Sequence, residues 1–219
     1  MRFGGTSWRP FLGKLLYTYD DPPSEKHLKQ ACNLLENDGV LCYPMGSNWA
    51  FGCDASKPKA LDRIRLLKPE HPKAKSFSLI CSSIKMASSF GHIDHQLYRI
   101  LKKVWPGPYT ILVKSTLSLP RQIKDKRQIV GLKIPDCQLM RALVEAYGKP
   151  MATTSVPKRE NGFDFKMGYE IEEVYGHALD LILDLGEELS GEESTIVDFS
   201  EGYPEIIREG LGDISIFSV

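Results

Sequence analysis

The sequence lacks the features that would place it in a secreted or membrane class. No apolar stretch approaches the roughly 18 residues that a membrane span needs, and no Asn-x-Ser/Thr sequon is present. The five cysteines are scattered and include no Cys-x-x-Cys pair. An odd number of dispersed cysteines is typical of a reducing compartment, so we expect a cytoplasmic chain. A trimmed organelle-transit segment is the alternative, because residues 1–10 are basic and contain no acid.

Net charge is absent as well. The 219 residues include 28 Lys and Arg against 28 Asp and Glu, so bulk charge does not indicate a nucleic-acid binder, although a local basic face would escape this count. Apolar residues at 42% and charged residues at 26% are typical of globular proteins. The length suffices for one sizeable core.

The common nucleotide-binding and hydrolase motifs are missing. Gly13-Lys14 is the nearest approach to a P-loop, but Trp8 and Leu15 stand where Gly and Ser or Thr are needed. No Gly-x-Gly-x-x-Gly opens a helix, and there is no Gly-x-Ser-x-Gly elbow. Nucleotide binding would therefore require a less common site.

Apolar strand-like runs alternate with helical patterns from residue 24 onward, which predicts an α/β domain over 24–219 with some antiparallel pairing near its C-terminus. Residues 1–23 predict an irregular arm. The predicted helices lie at 24–39, 56–67, 94–104, 138–147 and 169–177, with Ser24, Ser56 and Asp94 as N-caps. The predicted strands lie at 40–43, 77–81, 109–114, 129–134, 151–154, 181–185, 195–199 and 205–208.

Three stretches join such apolar runs to small or hydroxyl residues: 43–55, 105–110, and 194–198 followed by 208–210. In α/β folds, ligands bind where strands end and loops converge. The sequence therefore predicts a pocket at this edge of the sheet. Residues 156–168, in which charges and glycines replace periodicity, predict a mobile surface loop beside it.

Several polar groups near these strand ends have two interpretations each. Lys68 and Lys75 belong to a solvated loop or reach over the pocket to phosphate or carboxylate. The hydroxyls of Thr153, Thr154 and Ser155 satisfy loop backbone groups or bind a ligand. Arg208, within an apolar strand, needs either a structural carboxylate or a phosphate as partner.

A metal site is not predicted. His92 and His95 have a feasible spacing, but no further ligand completes a shell, and Asp94 between them is better used as a helix cap.

Five segments, in order, resemble the YrdC/YciO family, relatives of threonylcarbamoyl-AMP synthase, over roughly residues 24–217. The first resembles the family's Tyr-Pro-Thr-Asp-Thr-x-Tyr-Gly-Leu-Gly-Cys-Asp-Ala. The five are 43–55, 63–68, 105–110, 130–135, and 194–198 with 208–210. The resemblance implies a single twisted, open, mixed sheet with flanking helices around a large, positively lined groove.

The resemblance also implies an activity and a set of site residues. Synthases of this family condense threonine, bicarbonate and ATP into threonylcarbamoyl-AMP and pyrophosphate, for tRNA modification. Mg²⁺ would arrive with the ATP, and no tightly bound cofactor is expected. Lys68 and Ser155 would be the catalytic residues, and Ser47, Trp49 and Lys133 would bind the amino-acid substrate. The nucleotide would be held by Lys68, Lys75, Ser155, Ser194 and Arg208.

The chain departs from the synthase pattern at three motifs, and these departures resemble the YciO branch. Met45-Gly46 replaces Thr-Asp, Glu70 replaces the Arg of Lys-x-Arg, and Pro157 replaces the Asn of Ser-x-Asn. The leading expectation is therefore a nucleotidyltransferase that is weak or altered in substrate.

Two alternatives stay open. One is a non-catalytic protein that binds tRNA or double-stranded RNA in the same groove, with basic clusters at 99–103 and 124–127. The other is an adenylate-processing enzyme that works in the hydrolytic direction. No membrane partner is expected, and the sequence assigns no oligomeric state.

Overall fold

One mixed sheet organises the molecule. The computed structural model describes residues 14–68, 77–116, 119, 123 and 127–217. Within this part of the chain, ten strands form the sheet, in the order β1-β8-β2-β3-β7-β4-β6-β5-β9-β10. The strands are β1 Lys14–Tyr17, β2 Leu41–Pro44, β3 Trp49–Asp54, β4 Ser78–Ile80, β5 Tyr109–Lys114, β6 Ile129–Lys133, β7 Met151–Ser155, β8 Leu181–Asp184, β9 Thr195–Asp198 and β10 Glu205–Arg208.

Parallel and antiparallel pairs mix along the sheet. β8 runs parallel to both β1 and β2, whereas β2, β3, β7 and β4 form successive antiparallel pairs. β4 and β6 are parallel, as are β5 and β9, and β5 pairs antiparallel with β6. The predicted antiparallel pairing near the C-terminus is present between β9 and β10.

Helices flank the sheet on both faces, as predicted for the fold class. They are α1 Glu25–Glu36, α2 Pro58–Leu66, α3 Ile84–Ser88, α4 His95–Val104, α5 Gln138–Tyr147 and α6 Gly168–Tyr175, followed by a 3-10 helix at Ile214–Phe217. None of the described helices combines the length and the apolar character that crossing a bilayer requires.

Two apolar clusters show how the helices divide between the faces. Buried side chains of α2, α3, α4 and α6 join one large cluster on the first face, together with alternate residues of most strands. On the second face, α1 and α5 pack with β2, β8 and their neighbours into a smaller cluster. Strands β6, β5, β9 and β10 contribute no residue to this smaller cluster. Their second face is therefore available to form a cavity.

Three elements differ from the sequence prediction. Lys14–Tyr17 lies in the segment predicted to be an irregular arm, and that prediction is wrong for these four residues, because their backbone pairs with β8 as an edge strand. β3 and the short α3 were not predicted. Residues 1–13 of the arm lie outside the described residues.

The predicted helix caps have mixed outcomes. Asp94 is confirmed, because its side chain accepts a hydrogen bond from the Leu97 amide at 2.8 Å. Ser24 is the N-cap residue of α1, but its side chain makes no capping hydrogen bond. The cap at Ser56 is wrong: α2 begins one residue later, after Lys57, and the Ser56 hydroxyl donates instead to Asp54 at 2.8 Å.

Candidate functional site

A cavity of about 550 Å³ lies against the second face of the sheet, and we call it the strand cavity. Side chains alternate between the faces of a strand, so β6 sends Val130 and Leu132 into the large cluster and lines the cavity with Ile129, Gly131 and Lys133. The neighbouring strands follow the same alternation. They contribute Ser78, Thr110, Leu112, Thr153, Ile196 and Ile207 to the lining.

Lys133 is the buried cation of the strand cavity. Its side chain is 7% exposed. No hydrogen bond or ion pair joins its amine to another of the described residues. Burial, reinforced by the positive charge of Arg208, lowers the pKa of Lys133 to about 8. The amine is therefore mostly charged at neutral pH but loses its proton far more readily than an exposed lysine.

Arg208 on β10 closes one side of the strand cavity. Its Nε donates to the Ser194 carbonyl at 3.0 Å, and its Nη1 donates to Glu193 Oε2 at 2.6 Å. The Ser194 hydroxyl lies 3.3 Å from Arg208 Nη2 and 3.1 Å from Thr110 Oγ1. Of the two partners considered for Arg208, the structure shows the carboxylate. Arg208 nevertheless still lines the cavity.

A second cavity of about 770 Å³ adjoins the first, and we call it the loop cavity because residues 156–160 and 164–165 form much of its wall. The two cavities share Asn48, Ser155 and Glu193 as lining residues. Together they form one continuous polar groove along the ends of β3 and β7, where the sequence predicted a pocket.

Lys68, at the end of the α2 segment, lies where the two cavities meet. Its Nζ donates to Thr154 Oγ1 at 2.9 Å and to the Ser155 carbonyl at 2.5 Å. Thr154 lines the strand cavity, Lys68 lines the loop cavity and Ser155 lines both. Thr154 thus holds the lysine through its hydroxyl and Ser155 holds it through its carbonyl, while both residues line the groove. That these hydroxyls bind a ligand stays a prediction.

Arg159 anchors the loop wall. It forms an ion pair with Glu170, and its guanidinium lies 4.8 Å from the centre of the Phe165 ring. Arg159 Nε and the indole Nε1 of Trp49 are both buried and make no hydrogen bond to any residue that the structure describes. Both residues line the loop cavity. Because an unpaired buried donor is unfavourable, these two groups are suited to a ligand that carries acceptor atoms.

The groove gathers six of the eight residues named from the sequence. Lys68, Trp49, Lys133, Ser155, Ser194 and Arg208 line one or both cavities. Ser47 does not line either one, because its hydroxyl donates to the Glu192 carbonyl at 2.7 Å. Lys75 lies outside the described residues, and so does Glu70.

Several polar residues of the groove were not named as site residues, among them Asn48, Thr110, Arg159 and Glu193. Thr110 is the last residue of the 105–110 stretch, and strand alternation from Tyr109 could have identified it. Asn48 lies inside the first motif, between the two residues that were named. Arg159 and Glu193 lie in irregular segments, where no periodicity indicates direction.

The described residues contain no group of three or more His, Cys, Asp or Glu side chains that could hold a metal ion. Asp94 contributes a helix cap between the two histidines considered from the sequence.

The chain is similar to several known proteins. A family model named for Sua5, YciO and YrdC, with the description "Telomere recombination", matches residues 33–210. YciO of Escherichia coli (strain K12) is 30% identical over 207 residues, which cover 94% of this chain and 100% of that protein. The crystal structure of E. coli YciO matches with a TM-score of 0.85 at 31% identity, over 94% of this chain and 99% of that one.

Two further relatives have more informative names. A threonylcarbamoyl-AMP synthase of Psychromonas ingrahamii is 31% identical over 134 residues, which are 60% of this chain and 70% of the synthase. The structure of P. abyssi Sua5 complexed with L-threonine matches with a TM-score of 0.80 at 21% identity, over 90% of this chain and 57% of that one. At that identity the likeness concerns the fold.

Proposed function

The chain belongs to the Sua5/YciO/YrdC family, as its motifs predicted, and from this premise we propose that it is an ATP-binding enzyme of the threonylcarbamoyl-AMP synthase type. The proposed reaction joins threonine, bicarbonate and ATP, releases pyrophosphate and is weak or altered in substrate. The YciO match spans nearly the whole chain, whereas the match to the synthase spans 60% of it.

The observation that supports this proposal is the convergence of cations and hydroxyls in two adjoining cavities. Lys68, Lys133 and Arg208 come from three different elements, and the hydroxyls of Ser155 and Ser194 lie among them. Adenylation proceeds through charge that develops on phosphate oxygens, which cations and hydroxyl donors stabilise. A groove of this composition suits a polyphosphate better than an uncharged ligand.

The chemistry requires little from the protein beyond binding and orientation. A carbamate oxygen of carboxylated threonine would attack the α-phosphorus, and the bond from that phosphorus to pyrophosphate would break. The attacking oxygen already carries negative charge, so no general base is needed. In this proposal Lys68 and Ser155 orient the phosphates, Arg208 and Ser194 hold the nucleotide, and the Lys133 ammonium binds a substrate carboxylate, with Trp49 near the amino acid.

Calorimetric titration with Mg²⁺-ATP, with and without threonine and bicarbonate, tests the proposal. We expect Lys68→Met to weaken ATP binding by about 10–100-fold, because it removes a charged donor from the groove. Lys85→Met, which removes an exposed lysine from α3, is the matched control and should bind as the parent does. Failure of the folded parent protein to bind ATP, or to release pyrophosphate with all three substrates, would contradict the proposal.

A second candidate function is RNA binding without catalysis. Arg99, Lys102 and Lys103 lie exposed on one face of α4, at the spacing of helical neighbours. Residues 124–126 of the other basic cluster lie outside the described residues. This candidate predicts affinity for duplex RNA that falls steeply with salt and falls again when these three residues become Gln. Binding that is unaffected by salt and by the triple change would exclude it.

A further inference from the structure

Lys133 differs from Lys68 and Arg208 in having no partner for its amine among the described residues. Lys68 donates to two oxygens and Arg208 is tied to Glu193 and Ser194, whereas no hydrogen bond or ion pair joins the Lys133 amine to another described residue. The amine lies against a cavity of about 550 Å³ that small molecules can enter. A primary amine in this setting is both a binding group and a nucleophile.

The uncharged form of this amine is accessible near neutral pH. Burial and the positive charge of Arg208 lower the pKa of Lys133 to about 8, so about half of the amine is unprotonated at that pH. The other charged groups that line the cavity are Arg127 and Glu193, and Glu193 already pairs with Arg208. Lys133 thus faces predominantly positive charge.

We propose that Nζ of Lys133 is a reversible carboxylation site that takes carbon dioxide. The nitrogen lone pair attacks the carbon, a nitrogen–carbon bond forms, and one carbon–oxygen π pair moves onto oxygen. A proton then leaves the nitrogen for solvent, so an amine and carbon dioxide become a carbamate anion and a proton. No oxidant, metal or nucleotide takes part.

The surroundings favour the anionic product over the ammonium. The carbamate replaces a like-charged pair, Lys133 and Arg208, with an oppositely charged pair in a mostly buried site. The hydroxyls of Thr110, Thr153 and Ser194 line the same cavity and can donate to the new oxygens. Other electrophiles, such as aldehydes, would leave Arg208 facing a neutral or cationic adduct.

The carboxylation needs neither ATP nor threonine, but it takes place on the lysine that binds a substrate carboxylate in the proposed synthase reaction. Its consequence is a change in the charge of the cavity. Carboxylation converts a group that binds anions into one that repels them, so bicarbonate should weaken the binding of phosphate or carboxylate ligands to the strand cavity.

The experiment uses the full chain with isotopically labelled bicarbonate near the pKa of Lys133. The carbamate is observed by carbon NMR, then trapped by alkylation and located by peptide mass spectrometry. We expect the trapped adduct on the Lys133 peptide, loss of the signal in Lys133→Arg, and its retention in Lys85→Met. An arginine keeps the positive charge but forms no carbamate.

Peptide mapping of the parent protein gives an answer even if the Lys133→Arg variant does not fold. An adduct found on exposed lysines but not on Lys133, or the same signal in folded Lys133→Arg, would overturn the proposal. So would the absence of any adduct in the folded parent protein. Each result is obtained without ATP or threonine, whereas the synthase function is tested by ATP binding and pyrophosphate release, so the failure of one proposal is distinguishable from the failure of the other.

Discussion

Three cations in one groove occupy three different environments. Lys68 is held by a hydroxyl and a carbonyl, Arg208 by a carboxylate and a carbonyl, and Lys133 by no described side chain. The free energy of each interaction with a ligand depends on what the ligand displaces. Lys133 has no partner to release, whereas Arg208 has Glu193 as a competitor.

The buried ammonium of Lys133 should reduce the stability of the fold. Its pKa of about 8, against 10.5 for an unperturbed lysine, means that the folded state binds fewer protons than the unfolded state between these values. Stability therefore rises with pH across that window. We expect Lys133→Met to raise the free energy of unfolding by about 2–3 kcal/mol at neutral pH, at the expense of ligand binding.

Urea denaturation at neutral pH and near the upper end of that window measures this effect. The advantage of Lys133→Met should shrink as the pH rises from about 8 through 10.5, above which the parent amine is mostly neutral in both states. Exposed Lys85→Met is the control and should change stability by less than about 0.5 kcal/mol. A gain that does not vary with pH would contradict the electrostatic explanation.

Glu193 is the negative charge beside Arg208 in the groove, whose loop cavity is also lined by Glu160 and Asp164. It pairs with Arg208 at 2.6 Å and lines both cavities. The pair is about half exposed, so its removal should change affinity by about 1 kcal/mol or less. We expect Glu193→Gln to bind inorganic pyrophosphate about 3–5-fold more tightly, because Arg208 loses its competitor. Glu205→Gln, at an exposed position of β10, is the control and should leave the affinity for pyrophosphate, measured by calorimetry, unchanged. Weaker pyrophosphate binding by Glu193→Gln would contradict this account.

At the level of residues, the sequence located the groove but not all of its chemistry. Lys68 and Arg208 were predictable, because Lys68 follows a helix and Arg208 interrupts an apolar strand, whereas Lys133 was named only from the family resemblance. The pairing of Arg208 with Glu193 could not be predicted, because the Glu193 carboxylate lies in an irregular segment before β9. Ser47 was named from motif position, yet its hydroxyl is used by the Glu192 carbonyl.

Among the elements, α5 is held at both ends by residues distant in the chain. At its beginning, the Leu139 amide donates to Asp20 Oδ1 at 2.8 Å, since the N-cap residue Cys137 supplies no side-chain cap. At its end, Tyr147 donates its hydroxyl to Asp54 Oδ2 at 2.6 Å. The helix that covers β2 and β8 is thus fixed to two other parts of the molecule.

Removal of the Asp20 carboxylate should loosen the start of α5. We expect Asp20→Ala to lower the free energy of unfolding by about 1 kcal/mol, the usual contribution of a helix N-cap. Asp20→Asn keeps an acceptor and should recover most of the loss, whereas Glu187→Ala, on an exposed turn, is the control. Urea denaturation decides the question, and equal effects of Ala and Asn at position 20 would contradict the capping role.

Removal of the Tyr147 hydroxyl should destabilise the C-terminal end of α5. Burial alone would raise the pKa of Asp54, but hydrogen bonds from Tyr147 and Ser56 outweigh it and lower the pKa overall. This carboxylate stabilises the fold at neutral pH, and the contribution is lost as the pH falls and it protonates. We expect Tyr147→Phe to cost about 1.5–3 kcal/mol at neutral pH. Urea denaturation measures the difference in free energy of unfolding between the variant and the parent, and this difference should become smaller in acid. A difference that stays the same at every pH would contradict this view.

The two strands that sequence reasoning missed do not show the alternation of apolar and polar residues by which a strand is predicted. β3 is buried on both faces, so apolar and polar residues do not alternate along it, and Gly52 is a weak strand former. The structure shows why a small residue is needed there: a Cβ at Gly52 would collide with the Tyr43 hydroxyl. β1 is a four-residue edge strand, which depends on pairing with β8 and not on its own pattern.

At the scale of the whole molecule, the groove results from incomplete coverage of the sheet. The helices pack against one face along most of its width, but α1 and α5 cover only the part around β2 and β8 of the other face. Composition and alternation predicted one α/β sheet with flanking helices, and this is confirmed. They could not predict which strands would be left uncovered, because strand order depends on long-range pairing.

The pairing of β1 with β8 also bears on how the molecule is made. Lys14–Tyr17 leaves the ribosome long before Leu181–Asp184 has been synthesised, so this edge of the sheet cannot close during most of translation. We expect nascent chains arrested before residue 181 to be cleaved by protease near β1, and longer released chains to resist. Protection of β1 in the shorter chains would contradict this order. Newly made protein therefore carries an unpaired strand for most of its synthesis, and during that interval the strand is a template on which another chain can pair.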